Sequence, residues 1–333
     1  MKKQNRVVAL LLLLVLLVAC TSGANKTDTD REPITKRLLS KVEGLFNKNT
    51  PTEVVKEEPI PVKKEPVVAD DPEEIITSDV YALNKNVTVP ESVIYDKDGL
   101  KITVKSLDCD GWMGVELKYL AENESGKPIM LQAADLVVNG FMVDPIMSTE
   151  LPSGESVDSA LTIMAEDLEA AGIETIQYLE FNLRVIDSND WSKSFNTDRI
   201  RIETNADPAY TQKVDESGTL LVEQGGVRII MKELNTRSSY IAAELIVLVE
   251  NNSGRDISLT VRDVSVNGIM VSPIFYVDVL SGTNAFTELI FLEEDLKSND
   301  IVDIKEIELS FDAIDKNDWH TIFETETIKL AFD

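Results

Sequence analysis

The chain has 333 residues, 59 acidic and 32 basic side chains and a formal net charge of −27. A surface this acidic repels polyphosphate, because phosphate contacts need clustered Lys and Arg, and nucleic-acid binding is excluded. With two cysteines and one histidine there is no cluster to hold zinc, and there is no glycine-rich phosphate loop, so no cofactor is expected.

In chain order, Met1-Lys2-Lys3-Gln4-Asn5-Arg6 places three positive charges ahead of an apolar run from Val7 to Ala19. That run is shorter than the roughly twenty apolar residues needed to cross a bilayer. A basic start followed by a short apolar run is the pattern of an export signal that is removed rather than folded. The run closes Leu17-Val18-Ala19-Cys20, which resembles the lipobox of bacterial lipoproteins. The resemblance implies that residues 1–19 are a lipoprotein signal peptide and that the Cys20 thiol carries a diacylglycerol. Cleavage then makes Cys20 the first residue, and the chain is lipid-anchored at the extracytoplasmic face of the cell membrane. The plainer alternative is an ordinary signal peptide that ends in cysteine. Without Lys2, Lys3 and Arg6, 29 basic side chains face 59 acidic ones, a net charge of −30.

Residues 20–90 read as a lipidated N-terminus followed by a disordered Pro/Glu/Lys-rich stalk. Prolines at 51, 59, 61, 66 and 72 among charges of both signs favour an extended, solvated chain and offer little that could form a core. One segment, 35–47, departs from this. Leu38, Leu39, Val42, Leu45 and Phe46 recur at helical spacing beside Lys36, Arg37 and Lys41. Two readings stand side by side there, a basic amphipathic helix lying on the membrane and a marginal helix within a linker.

From Gly99 onward the chain repeats itself. Gly99–Leu107 matches Gly226–Leu234 at a shift of 127, and residues 114–202 match 242–330 at a shift of 128 with 34 identities in 89 positions and no gap. That is a duplication. The shared positions are turn chemistry. Glu122-Asn123-Glu124-Ser125-Gly126 pairs with Glu250-Asn251-Asn252-Ser253-Gly254, and Ser153-Gly154 with Ser281-Gly282. Asn139-Gly140 and Asn267-Gly268 sit between apolar segments, a strong hairpin signal because both residue types tolerate positive φ. Pro145 and Pro273 belong on an edge strand or bulge. Between turns the pattern alternates, as in Leu179-Glu180-Phe181-Asn182-Leu183-Arg184-Val185 and Glu306–Ala313. One buried face and one wet face is what an antiparallel sandwich needs. Glu166-Asp167-Leu168 and Glu294-Asp295-Leu296 read as single helical turns crossing between sheets, with Asp167 and Asp295 as N-caps. The expected fold is all-β: two tandem immunoglobulin-like antiparallel β-sandwiches at 91–205 and 218–333, after a signal peptide and disordered stalk. A linker at 206–217 joins them and is expected to leave limited freedom.

These blocks, from Glu122-Asn123 through Val138-Asn139-Gly140, Pro145-Ile146 and Ser153-Gly154 to Asp187-x-Asn189-Asp190-Trp191, resemble an uncharacterised immunoglobulin-like repeat. It occurs in lipoproteins and membrane-tethered proteins of Gram-positive, clostridia-like bacteria. The resemblance covers both repeats and implies fold and location; it brings no activity and no functional residues.

The most conspicuous shared motif is Asp187-Ser188-Asn189-Asp190-Trp191, repeated as Asp315-Lys316-Asn317-Asp318-Trp319. Its oxygen-bearing side chains, Asp187, Asn189, Asp190, Asp315, Asn317 and Asp318, are weak candidates for calcium. An EF-hand-like order fails because tryptophan stands fifth and no glycine sixth. The favoured reading is a hairpin turn in which Asn and Asp bend the chain and Trp191 and Trp319 pack across the strand pair, structural roles shared with Asn139, Gly140, Asn267 and Gly268. Cys109 has no disulfide partner once Cys20 is taken by lipid, and reads as an inert, partly packed thiol.

An enzyme is not expected. The single histidine, His320, aligns with Ser192 in the other copy, and a nucleophile needs an adjacent base. Paired carboxylates for a glycan hydrolase remain a minor alternative. A solute-binding lipoprotein is set aside for want of helical periodicity after residue 90. Two functions remain: a non-enzymatic interaction module with a protein or glycan partner, for which duplication supplies avidity, and an envelope spacer without a ligand.

Overall fold

The structure, a computed structural model, describes residues 81–236 and 241–332. The expected signal peptide, Cys20, the expected stalk up to residue 80 and the 35–47 segment lie outside the described residues. All the described strands belong to one compact unit, Ser78–Asp333.

Module 1 is an antiparallel sandwich. One sheet runs β1 (Ser92–Lys97), β2 (Leu100–Asp108), β3 (Gly114–Asn123) and β8 (Ser156–Met164), with short β6 (Pro145–Ile146) on the far edge. The facing sheet is built on β4 (Ile129–Val138) and β9 (Tyr178–Asp187). β10 (Asp190–Asn196), β5 (Phe141–Met142), β7 (Ser148–Leu151) and β11 (Ile200–Glu203) flank them. Burial alternates along β3 and β9, so Ile102, Leu117 and Ile163 meet Leu131, Phe181 and Leu183 across one core, where dense packing of apolar surface supplies the stability.

Module 2 repeats this order. β12 (Thr219–Gln224), β13 (Val227–Thr236), β14 (Ile241–Asn251) and β18 (Thr283–Leu292) form its first sheet. β15 (Ile257–Val266), β16 (Ile269–Met270), β17 (Val277–Val279), β19 (Glu306–Asp315), β20 (Thr321–Glu324) and β21 (Ile328–Ala331) form its second. Leu245, Phe291, Leu309 and Phe311 fill the core between them. Even the irregularities are duplicated. β4 and β15 each slip register beside an aspartate at positive φ, Asp135 at 52° and Asp263 at 53°.

The helical turns are α1 (Ala165–Ala170) and α2 (Glu293–Ser298). Their N-caps are Met164 and Leu292, without a side-chain hydrogen bond. Asp167 and Asp295 therefore sit inside the first turn rather than capping it, because each strand runs directly into its helix and leaves no turn residue ahead of it.

Three features differ from the pattern read along the chain. Residues 81–89, expected as the end of the stalk, lie on module 1. Val87 and Val89 are buried, the Tyr81 hydroxyl donates to Ile173 O at 2.7 Å, and Asn84 N donates to Glu174 O at 2.7 Å. The linker is also packed: Gln177 Nε2 donates to Tyr210 O at 2.7 Å, Gln212 Nε2 donates to Gly172 O at 3.1 Å, and Val214 joins the core of module 1. Finally, β5 of module 1 pairs in parallel with β18 of module 2, Phe141 opposite Asn284 and Met142 opposite Ala285. One sheet of ten strands thereby runs through both modules.

Candidate functional site

The Asn-Gly hairpins form as the residue pair requires. Asn139 and Gly140 have φ of 49° and 87°, and Asn267 and Gly268 have φ of 52° and 79°, the doubly positive geometry of a tight hairpin turn. The asparagine side chain then ties the hairpin to the loop ahead of β9 or β19. Asn139 Nδ2 donates to Thr175 O at 2.7 Å and its Oδ1 accepts from Gln177 N at 2.8 Å. Asn267 does the same with Asp303 O at 2.6 Å and Lys305 N at 2.9 Å.

At the opposite end of each module, Asn123 and Asn251 organise the Asn-x-Ser-Gly turn. Asn123 Nδ2 donates to Lys127 O at 2.8 Å and Leu151 O at 3.0 Å, and Asn251 Nδ2 to Arg255 O at 2.7 Å and Val279 O at 2.8 Å. Both are fully buried. A satisfied internal asparagine holds its position because any displacement would strand several polar groups at once.

The aspartates of the repeated Asp-x-Asn-Asp-Trp motif are engaged with donors of the chain itself. Asp187 accepts from Asn189 N at 3.0 Å and Lys127 Nζ at 3.2 Å, and Asp190 from Ser192 Oγ at 2.6 Å and Lys193 Nζ at 3.0 Å. Asp315 accepts from Asn317 N at 2.9 Å and Arg255 Nη1 at 3.1 Å, and Asp318 from His320 N at 3.0 Å. The hydrogen bond from the backbone of Asn189 and then Lys127 hold the Asp187 carboxyl below its ordinary range, and hydrogen bonds from Ser192 and Lys193 do so for Asp190. These are turn-forming carboxylates. No group of three or more His, Cys, Asp or Glu side chains suited to a metal ion occurs among the described residues.

The turns themselves differ. In module 1 Asp187 pairs with Asp190 across two residues, whereas in module 2 Trp319 N closes on Asp315 O at 2.9 Å with Trp319 itself at φ 63°. Both tryptophans, expected to pack across their strand pairs, are more than half exposed. Trp191 is 56% exposed and Trp319 65%, and Trp112, in the β2–β3 loop, is 89% exposed. All three tryptophans of the chain thus stand in solvent on loops or beside turns.

Cys109 is half-buried against the core of module 1. Burial first, then the carboxylates of Asp108 and Asp110, push its thiol up, which suppresses the reactive thiolate.

The junction between the modules is a built site. Asn284 N donates to Gly140 O at 2.9 Å, and Phe141 stacks on Phe286 with ring centroids 6.0 Å apart and planes 12° from parallel. Lys316 Nζ bridges Asp135 at 2.7 Å and Asp278 at 3.1 Å. Ile230 and Leu248, on the outer face of module 2's first sheet, are buried within the core of module 1. Beside it, Asp167 is only half-buried, yet its Oδ2 is shielded and has no hydrogen-bond partner. Burial, then Asp144 and Glu288, push its carboxyl up to about 7. The signal for this junction was present in the aligned copies: Phe286 and Lys316 stand where the first copy has Asp158 and Ser188, and Leu248 and Phe286 are apolar on the strand face that alternation assigns to solvent.

No family model matches the chain, and no curated protein matches it. Among solved structures it is similar to the YadV chaperone, with 14% identity over 65% of this chain and 92% of that one and a TM-score of 0.20. It is also similar to the Salmonella enterica SafA pilin in complex with the SafB chaperone, with 12% identity over 65% and 89% and a TM-score of 0.18.

Proposed function

We propose that this protein is a surface lipoprotein, anchored through Cys20, whose paired sandwiches act as a non-enzymatic interaction module. The observation that carries this reading is the exposure of all three tryptophans, two of them at the same position of a duplicated motif. Tryptophan left in water forgoes a large burial gain, and its flat amphipathic ring suits a protein contact or a sugar face. Two such positions on one chain supply avidity. The acidic surface directs the module toward neutral or basic partners and away from nucleic acid.

A second reading, an envelope spacer without ligand, draws on the sheet that spans both modules, since a continuous hydrogen-bonded sheet makes a stiff body. Crosslinking of the full chain on intact cells, followed by mass spectrometry, separates the two. An interaction module captures one dominant partner, and a Trp191→Ala/Trp319→Ala variant loses it. Capture of abundant neighbours alone, unchanged in the variant, overturns the interaction reading in favour of the spacer.

A further inference from the structure

The two modules present the same end to different surroundings. In module 1 that end consists of the β4–β5 hairpin tip and a groove beside it. The tip docks on β18 of the next module through Phe141 and Met142. The groove receives the extended segment that leads into that next module: Gln212 Nε2 donates to Ala171 O at 3.3 Å and Gly172 O at 3.1 Å, Asn139 Nδ2 donates to Gln212 Oε1 at 3.3 Å, and Gln177 Nε2 reaches Asp207 O and Tyr210 O. In module 2 the residues at the same aligned positions form an open groove lined by Asn267, Ile269, Asp300, Val302, Asp303 and Lys305. There the tip residues Ile269 and Met270 are 40% and 62% exposed and Val302 is 91% exposed, while Phe141, the counterpart of Ile269, is 1% exposed and Met142, that of Met270, is half-buried. The aspartate that Lys316 neutralises in the first copy, Asp135, has its counterpart in Asp263 at the same register slip, where the chain's own Arg262 Nη1 lies 3.2 Å away and supplies the positive charge.

We propose that the β15–β16 end of module 2 is an open docking end for a further β-sandwich. It takes the edge of that partner's sheet on Ile269 and Met270 and the partner's extended lead-in segment in the groove, as module 1 takes those of module 2. The proposal deepens the interaction-module reading and rests on it for its partner. Pairing by edge strand recruits backbone groups that any such sandwich offers, and side chains then select among them. The partner chemistry follows from the occupied copy: an apolar ring or branched side chain at the place of Phe286, and an amide side chain in the lead-in segment. A second copy of this chain does not supply it. At the aligned edge it offers Asp158 and Ser188 in place of Phe286 and Lys316, and its own lead-in residues Tyr81 and Asn84 are bound to its own module 1.

The test extends the full chain with a second copy of residues 206–333 placed directly after Asp333, so that module 2 meets a known acceptor with its lead-in segment. Met270 oxidation by dilute peroxide is followed by mass spectrometry, and small-angle scattering reports the rigidity of the three modules. The expected result is roughly tenfold slower Met270 oxidation than in the unextended chain, because burial removes oxidant access, together with one rigid three-module body. Met270→Asp in the extended chain should free the third module and leave the thermal unfolding of the first two unchanged. Unchanged Met270 oxidation with a freely swinging third module overturns the proposal. So does concentration-dependent oligomerisation of the unextended chain that Met270→Asp abolishes, since the occupant would then be a second copy. Neither outcome touches the tryptophan experiment, which reads native capture on cells.

Discussion

Phe141 and Ile269 occupy the same place on the same hairpin, two residues past an asparagine in the same positive-φ conformation, yet one is sealed under a neighbouring sheet and the other faces solvent. The duplication copied the turn, the bulge and the core. What separates the two positions is the surface placed against them: β18 with Phe286 and Lys316 against the first tip, and no strand among the described residues against the second. Local sequence therefore builds the tip, and the neighbour decides whether it is core or surface.

The largest test of that contrast is truncation of the two tips. Phe141→Ala should cost about 3–5 kcal/mol, as for a buried ring left as a cavity, while Ile269→Ala should cost less than about 1 kcal/mol, as for an exposed position. Chemical denaturation of both variants checks this, and equal costs would erase the distinction. Next come the positions where the copies ought to agree. Asn123→Ala and Asn251→Ala should each destabilise by on the order of 2–3 kcal/mol, because each strands buried carbonyls and turn donors. A markedly smaller loss in one would show that the duplicated network has decayed there.

The junction's carboxylate comes third. The folded-state pKa of Asp167, about 7, lies above the unfolded value of about 3.9, so the folded protein holds the extra proton between the two and stability falls as pH rises through that window. Asp167→Asn should flatten this slope, raising stability at pH 8 by about 1–2 kcal/mol and leaving it unchanged near pH 4; thermal unfolding across pH reads it out. The smallest effect belongs to Lys316. Burial opposes its charge, but Asp278 and Asp135 hold the ammonium protonated, and Lys316→Met should cost about 0.5–1 kcal/mol, with the difference shrinking in high salt.

Much of this architecture is legible along the chain. Period-two alternation and the Asn-Gly pairs specify strands and hairpins through local sterics and a single solvent boundary, and the copies repeat them position by position. The caps of α1 and α2 were not legible, because acidic residues in the first turn of a helix look alike whether they cap it or follow the cap. The exposure of the tryptophans was not legible for a related reason. An aromatic after a turn can lie over its strand pair or away from it, and at Trp319 the left-handed backbone turns on how the β19–β20 loop closes.

The sequence by itself determined the duplication, the all-β class and the internal asparagine turns, because each depends on residues close in the chain or on a face pattern set by burial. The tertiary structure alone decided that the two sandwiches share one sheet, that the linker lies along module 1, and that one hairpin tip is covered while its twin is open. The shared sheet and the covered tip depend on pairings between residues more than a hundred positions apart, such as Phe141 with Asn284, and the linker's course on non-local contacts such as Gln212 with Gly172, whose energies arise only when two finished surfaces meet.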